Sequence, residues 1–165
     1  MYFTATVHAL ACNPGAVDAL RLLDDLVRTE TRLYNALNDR LRDEHGIVTS
    51  QFEFLRFVRD HPGCRVADLA ATMAIGIGAS SKGADRLERQ GWLRRVPPPD
   101  DRRSSQLELT AAGRELLTAA ERTATRRVEE LVAGALDPGQ VAAAAEALGA
   151  LRQALQGARV GTPAG

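Results

Sequence analysis

VADLAATMAIGIGASSKGADRLERQGWLRRVPPPDDRRSSQLELTAAG, residues 66–113, decides how the rest of the chain is read. Leu69, Ala70 and Met73 recur at helical spacing, and so do Ala84 and Leu87. Two short helices are therefore expected, 66–73 and 77–90, joined by a tight turn at 74–76 that contains Gly76. Beyond Gly91 the pattern changes to strict alternation. Residues 92–96 and 105–109 alternate apolar and polar side chains around the tip PPPDDRRS, residues 97–104, which reads as a hairpin. Two helices joined in this way match the helix-turn-helix layout, whose second helix enters a DNA major groove.

The second helix carries Ser80, Ser81, Lys82, Asp85, Arg86 and Arg89. Ser80, Ser81 and Lys82 sit in its N-terminal half, where such helices touch base edges, while Arg86 can reach phosphates. Gly76, Gly78 and Gly83 each cost on the order of 1 kcal/mol relative to alanine, so packing or DNA must hold the helix. Arg102 and Arg103 place positive charge at the hairpin tip, suited to a narrow minor groove. Formal net charge is zero, 21 basic against 21 acidic residues, which excludes a global field that would pull the protein onto DNA. The charge is instead local: Lys82, Arg86, Arg89, Arg94, Arg95, Arg102 and Arg103 face only Asp85, Glu88, Asp100 and Asp101 in the same stretch. Arg95 joins the candidate DNA contacts on that ground.

Working outward, residues 1–15 end in the turn Asn13-Pro14-Gly15 and form an arm. Residues 16–44 place Leu20, Val27, Tyr34 and Leu41 seven apart, with Leu23 and Leu37 between. That helix is more than twice the mean length of about 11 to 12 residues, which marks it as an element that packs beyond its own small domain. His45-Gly46 stops it. Thr49 or Ser50 is expected to cap the next helix, Ser50 and Glu53 making a capping box, and Phe52, Leu55 and Val58 are its buried face, to Asp60. Phe52, Phe54, Phe57 and Trp92 mark the main core. Thr110 is expected to cap a helix over 111–133 whose apolar positions Leu116, Leu117, Ala120, Ala124, Val128 and Leu131 keep helical spacing. Asp137-Pro138 opens a last helix to Leu155 that buries Val141, Ala145, Leu148, Leu151 and Leu155, and 157–165 frays.

Several function classes drop out. There is no run of about 18 apolar residues and no basic-then-apolar leader, so a cytoplasmic protein off the membrane is expected. Three histidines, His8, His45 and His61, share no ligand spacing with Cys12 and Cys64, so neither metal nor cofactor is expected. No phosphate loop, nucleophile elbow or paired carboxylate and histidine points to an enzyme. The two cysteines are candidate redox centres. Cys64 precedes a helix, whose N-terminus could lower a thiol pKa, whereas Cys12 has no evident activating neighbour.

Leu69-Ala70, Asp85-Arg86-Leu87-Glu88, Gly91-Trp92-Leu93, Asp101-x-Arg103-Ser104 and Leu107-x-Leu109-Thr110-x-x-Gly113 together resemble the signature of MarR-type winged-helix transcription regulators, over about residues 17–155. The resemblance implies a mainly α fold with a small β wing (α+β), divided into a winged helix-turn-helix domain, 46–110, and dimerisation helices, 16–45 and 111–156. It implies a homodimer that binds a pseudo-palindromic double-stranded DNA operator, most often as a repressor, nucleoid-associated when bound. Leu20, Leu23, Val27, Val141, Leu148, Leu151 and Leu155 would then form the dimer seam. Ser81 and Lys82 match DNA-contacting positions, Arg103 the wing arginine, and Asp101 the acid that orients it; a carboxylate two residues away can hold a guanidinium in one geometry. The resemblance also implies a small effector, often an aromatic or phenolic anion, between the first helix, the helix at 50–60 and the start of the last long helix, with His45, Phe54, Phe57 and Arg65 as candidate contacts. Peroxide sensing through a cysteine is the alternative within the same fold, and a protein-interaction module the alternative outside it; the basic tip Asp101-Arg102-Arg103 argues against the second. Gly76 stands where the family often has a Ser or Thr cap, and Gly83 and Ala84 replace bulkier apolar residues.

Overall fold

Asp18 opens the first helix, α1 (Ala19–His45), its carboxylate accepting the Leu20 N–H at 3.0 Å, and Gly46 closes it in the left-handed region at φ 68°. The computed structural model describes residues 18–97 and 105–162. Of the four heptad positions along α1 only Leu41 is fully buried; Leu20 is 76% exposed. The C-terminal half of the helix therefore packs on its own chain, and the N-terminal half stands clear of it.

Helix α2 (Thr49–Asp60) lies at the centre of the fold. Phe54 and Phe57 are buried together with Phe52, Leu55 and Val58, so α2 packs on more sides than an amphipathic stripe would allow. The expected Ser50 capping box is displaced. Thr49 lies inside the helix, buried, its N–H donating to Asn38 Oδ1 at 3.2 Å on α1, and it is the Val48 N–H that Gln51 Oε1 accepts at 3.0 Å. Burial against α1 thus sets the helix start two residues before the sequence pattern places it.

Helices α3 (Val66–Thr72) and α4 (Ile77–Arg89) follow. Their turn differs from expectation: Gly76 has φ −63° and is the N-cap of α4, while Ala74 adopts φ 51°. The reason is the end of α3, where Ala74 N–H donates to Ala71 O and Ile75 N–H to Ala70 O, the two bonds of a Schellman cap. Gly91 closes α4 at φ 76° with the same pair of bonds, its N–H donating to Glu88 O and the Trp92 N–H to Leu87 O. An alanine in this conformation carries a steric cost of about 1 to 2 kcal/mol. Ala74→Gly is therefore expected to raise stability by about 0.5 to 1 kcal/mol after the unfolded-state entropy of glycine is set against it. Thermal unfolding checks this, and a lower midpoint would contradict the left-handed cap.

Strands β1 (Leu93–Val96) and β2 (Gln106–Leu109) pair antiparallel with Leu93 opposite Leu109 and Arg95 opposite Leu107. Cys64 O accepts the Leu107 N–H at 2.8 Å, which fastens the hairpin to the loop before α3. Leu93, Leu107 and Leu109 enter the same core as α2, α4 and Leu117 of α5 (Ala111–Ala133).

Helix α5 runs along α1, and one polar network joins them. The Thr123 hydroxyl donates to Glu44 at 2.7 Å, so it must accept from His45 Nε2, 2.9 Å away. The same hydroxyl, with Arg40 and Arg126, holds the Glu44 carboxyl below the ordinary carboxylate range against the opposing effect of desolvation. The last helix, α6 (Pro138–Gly157), begins with a reciprocal box in which Asp137 and Gln140 each accept the other's N–H at 3.0 Å. Its apolar face departs from expectation: no residue of α6 is buried, and Leu148 is 48% exposed. The alanine-rich helix meets too little of its own chain to cover that face.

Candidate nucleic-acid interface

Helix α4 faces the core with Ser80, Ala84 and Leu87, one per turn. Lys82, Asp85 and Arg89 lie opposite that stripe, with Arg86 beside them, all four exposed. Ser81 is half-buried on the flank. Ser80 is withdrawn from the candidate contacts: it is fully buried, and its hydroxyl donates to Gly76 O at 3.2 Å. Two serines adjacent in sequence are about 100° apart on a helix, so only the core stripe could tell which of them turns inward.

Arg95 is the second correction. Its guanidinium lies 2.6 Å from Asp85 and 2.6 Å from Glu88, its own N–H donates to Glu88 at 3.1 Å, and its side chain is only 26% exposed. This fork ties the C-terminal half of α4 to β1 and sets the angle between helix and hairpin. Arg94, also on β1, pairs across the hairpin with Glu108 at 2.7 Å. With both acids of α4 held by Arg95, the outward cations are left with no ion-pair partner among the described residues: Lys82, Arg86 and Arg89. Arg89 therefore belongs with Lys82, and spacing along the helix was the signal for it.

Gly83 is no mere weakness of the helix. A methyl group there would collide with the Phe54 ring, so glycine is what lets α4 approach α2. Gly78 has open space around it and keeps the simple propensity cost.

Asp101, Arg102, Arg103 and Cys12 lie outside the described residues. Cys64 is buried, and its thiol is pushed up to about 11 by burial and by the nearby Asp68 carboxylate, which reverses the expected lowering at a helix N-terminus. A thiol held protonated near neutral pH is a poor peroxide sensor. A cleft is bounded by α1, α2 and the middle of α5 rather than the start of a last long helix, and none of His45, Phe54, Phe57 or Arg65 lines it. His45 bonds to Thr123, and Phe57 stacks on His61 with ring centres 4.2 Å apart. Among the described residues no group of histidine, cysteine and carboxylate side chains could hold a metal ion, and no helix is long and apolar enough to cross a membrane.

Residues 47–105, which take in α2 to β1 and stop just before β2, match the MarR family model. The match covers little more than a third of this chain and makes that segment similar to the family. Members of the family are transcription regulators rather than enzymes. The multiple antibiotic resistance protein MarR of Escherichia coli (strain K12) is 31% identical over 85 residues, 49% of this chain, and the match spans 59% of that protein's length. The HTH-type transcriptional repressor NicR of Pseudomonas putida is 28% identical over 123 residues, covering 74% of this chain and 77% of the relative. Among solved structures, Sco3205, a MarR family transcriptional regulator from Streptomyces coelicolor in complex with DNA, superposes with a TM-score of 0.74 at 25% identity, over 88% of this chain and 94% of that one. Apo MarR from E. coli shares the fold, at a TM-score of 0.69 and 23% identity, over 82% of this chain and 98% of that one. The family pattern also explains the α4 fork and the closing motif. Asp85-Arg86-Leu87-Glu88 supplies both acids that hold Arg95. In the Leu-Thr-x-x-Gly motif, Thr110 donates to Gly91 O at 2.7 Å and accepts from the Gly113 N–H at 3.0 Å, joining the end of α4 to the start of α5.

Proposed function

We propose that this chain binds double-stranded DNA as a homodimer at a pseudo-palindromic operator and represses transcription there until a small ligand releases it. One observation carries the reading: the outward face of α4 presents Lys82, Arg86 and Arg89, while the acids of that helix are engaged by Arg95. Such a face attracts phosphates and leaves Lys82 and Ser81 in the half of the helix that reads base edges. The DNA complex of Sco3205 supports it by likeness. In this reading residues 46–110 form the reading head, Arg102 and Arg103 extend it into the minor groove, and α1, α5 and α6 hold two copies at operator spacing. A protein confined to the cytoplasm fits the same reading.

The test is to recover bound DNA from a random pool and measure affinity by fluorescence anisotropy over a salt series. Arg86→Ala and Arg103→Ala are each expected to weaken binding to every operator variant and to lower the salt slope by about one ion per protomer. Unchanged affinity in both would sink the interface, and a loss confined to one operator position would make the affected arginine a base reader instead.

A further inference from the structure

Between α1, α2 and α5 lies an open cleft of about 450 Å³, within the size range of small-molecule sites. Its floor is apolar, formed by Leu37, Phe52, Ala124 and Val128. Its rim is acidic, with Glu53, Glu121 and Glu129 around a single guanidinium, that of Arg56. Arg56 is already engaged: it lies 3.2 Å from Glu53 and 3.7 Å from Glu121, and its guanidinium sits 5.5 Å above the centre of the Phe52 ring. Glu129 has no ion-pair partner among the described residues.

We propose that this cleft selects a small lipophilic cation, an aromatic amine or quaternary ammonium, over an aromatic carboxylate. The inference rests on the ligand-response reading above and reverses the charge that the family resemblance implies for the ligand. Arg56 itself displays the mode of recognition, a planar cation on an aromatic face flanked by carboxylates. A ligand cation enters beside it with its charge toward Glu129 and its apolar body on Leu37 and Val128. An anion of the same size meets three carboxylates and finds no free cation in the lining. To gain a partner it must take Arg56 from Glu53, leaving that carboxylate uncompensated at the edge of an apolar floor, while Glu121 keeps its pairing with Arg59.

Benzyltrimethylammonium and benzoate, which share a ring and differ in charge, are titrated calorimetrically into the full-length protein at low ionic strength. The cation is expected to bind at least about tenfold more tightly than benzoate, a difference of one decade in Kd. Glu129→Gln, at an exposed position, is expected to weaken the cation by roughly threefold to fivefold and to leave benzoate unweakened, the scale of one solvent-accessible ion pair. Benzoate binding as tightly as the cation, no binding of the cation, or an unchanged cation affinity in Glu129→Gln each overturns the inference. Operator release is followed separately by anisotropy at saturating cation. Binding without release supports the cation site and overturns only the ligand-response reading.

Discussion

Gly113→Ala is expected to cost at least about 3 kcal/mol, enough to unfold much of a marginally stable protein, because the added methyl meets backbone on which two elements depend. Gly113 is the third residue of α5, and a Cβ there would run into the Trp92 carbonyl. That carbonyl accepts the Thr110 N–H at 3.1 Å, and Thr110 in turn caps α5 and bonds to Gly91 O. Neither side can give way alone. Moving β1 disturbs Leu93 and the Arg95 fork, and moving α5 disturbs Leu117, Ala120 and the Thr123 network. Gly83→Ala meets the Phe54 ring instead, which can shift in part, so about 1 to 3 kcal/mol is expected there. Gly78→Ala meets nothing and should be neutral or stabilising by up to about 1 kcal/mol. Urea unfolding at one fixed protein concentration ranks the three. Gly113→Ala as stable as the parent would mean that the Trp92 carbonyl and α5 do not approach as described.

The contrast among these glycines shows what a sequence can and cannot say about such a fold. Apolar spacing together with cap and turn signals located the six helices and two strands of the described residues, because these are local properties of the sequence. It could not separate Gly83, which a neighbouring helix requires, from Gly78, which nothing requires, since the Phe54 ring that distinguishes them lies 29 positions away in the chain. Ser80 and Arg95 failed for the same reason. A serine inside a core stripe satisfies its hydroxyl on the turn before it, and an arginine on a strand finds acids on a helix that precedes it by several residues. Composition pointed to a basic stretch but could not say which cations its own carboxylates would hold. Cys64 adds the converse lesson: proximity to a helix N-terminus counts for little once the thiol is buried and a carboxylate stands near it. Family motifs recovered the junction residues Thr110 and Gly113, whose backbone roles leave no trace in hydrophobic pattern.

Leu151→Glu on α6, and independently Leu20→Glu on α1, are expected to yield monomers that lose operator binding. The large exposed apolar side chains, Ile77 apart, lie on α1, α5, α6 and the segments flanking α6. Helix α6 buries none of its own residues in the single chain, yet most helical stability in proteins comes from tertiary packing of an apolar face rather than from propensity. In the homodimer proposed above, a partner surface supplies what its own chain does not, and the open N-terminal half of α1, with Leu20, Leu23 and Val27, offers a matching apolar face. Each leucine covered in this way contributes roughly 1.5 to 3 kcal/mol, so a handful on each side suffices for a stable dimer. A carboxylate placed in that seam removes one such contribution and adds the cost of burying a charge. Loss of the second reading head then removes the effective-concentration advantage of two linked half-sites, worth about a hundredfold or more in operator affinity. Sedimentation velocity reports the state, circular dichroism whether α6 unwinds with it, and anisotropy the DNA affinity. A variant that stays dimeric contradicts the seam, and a monomer with undiminished operator affinity contradicts the need for two copies.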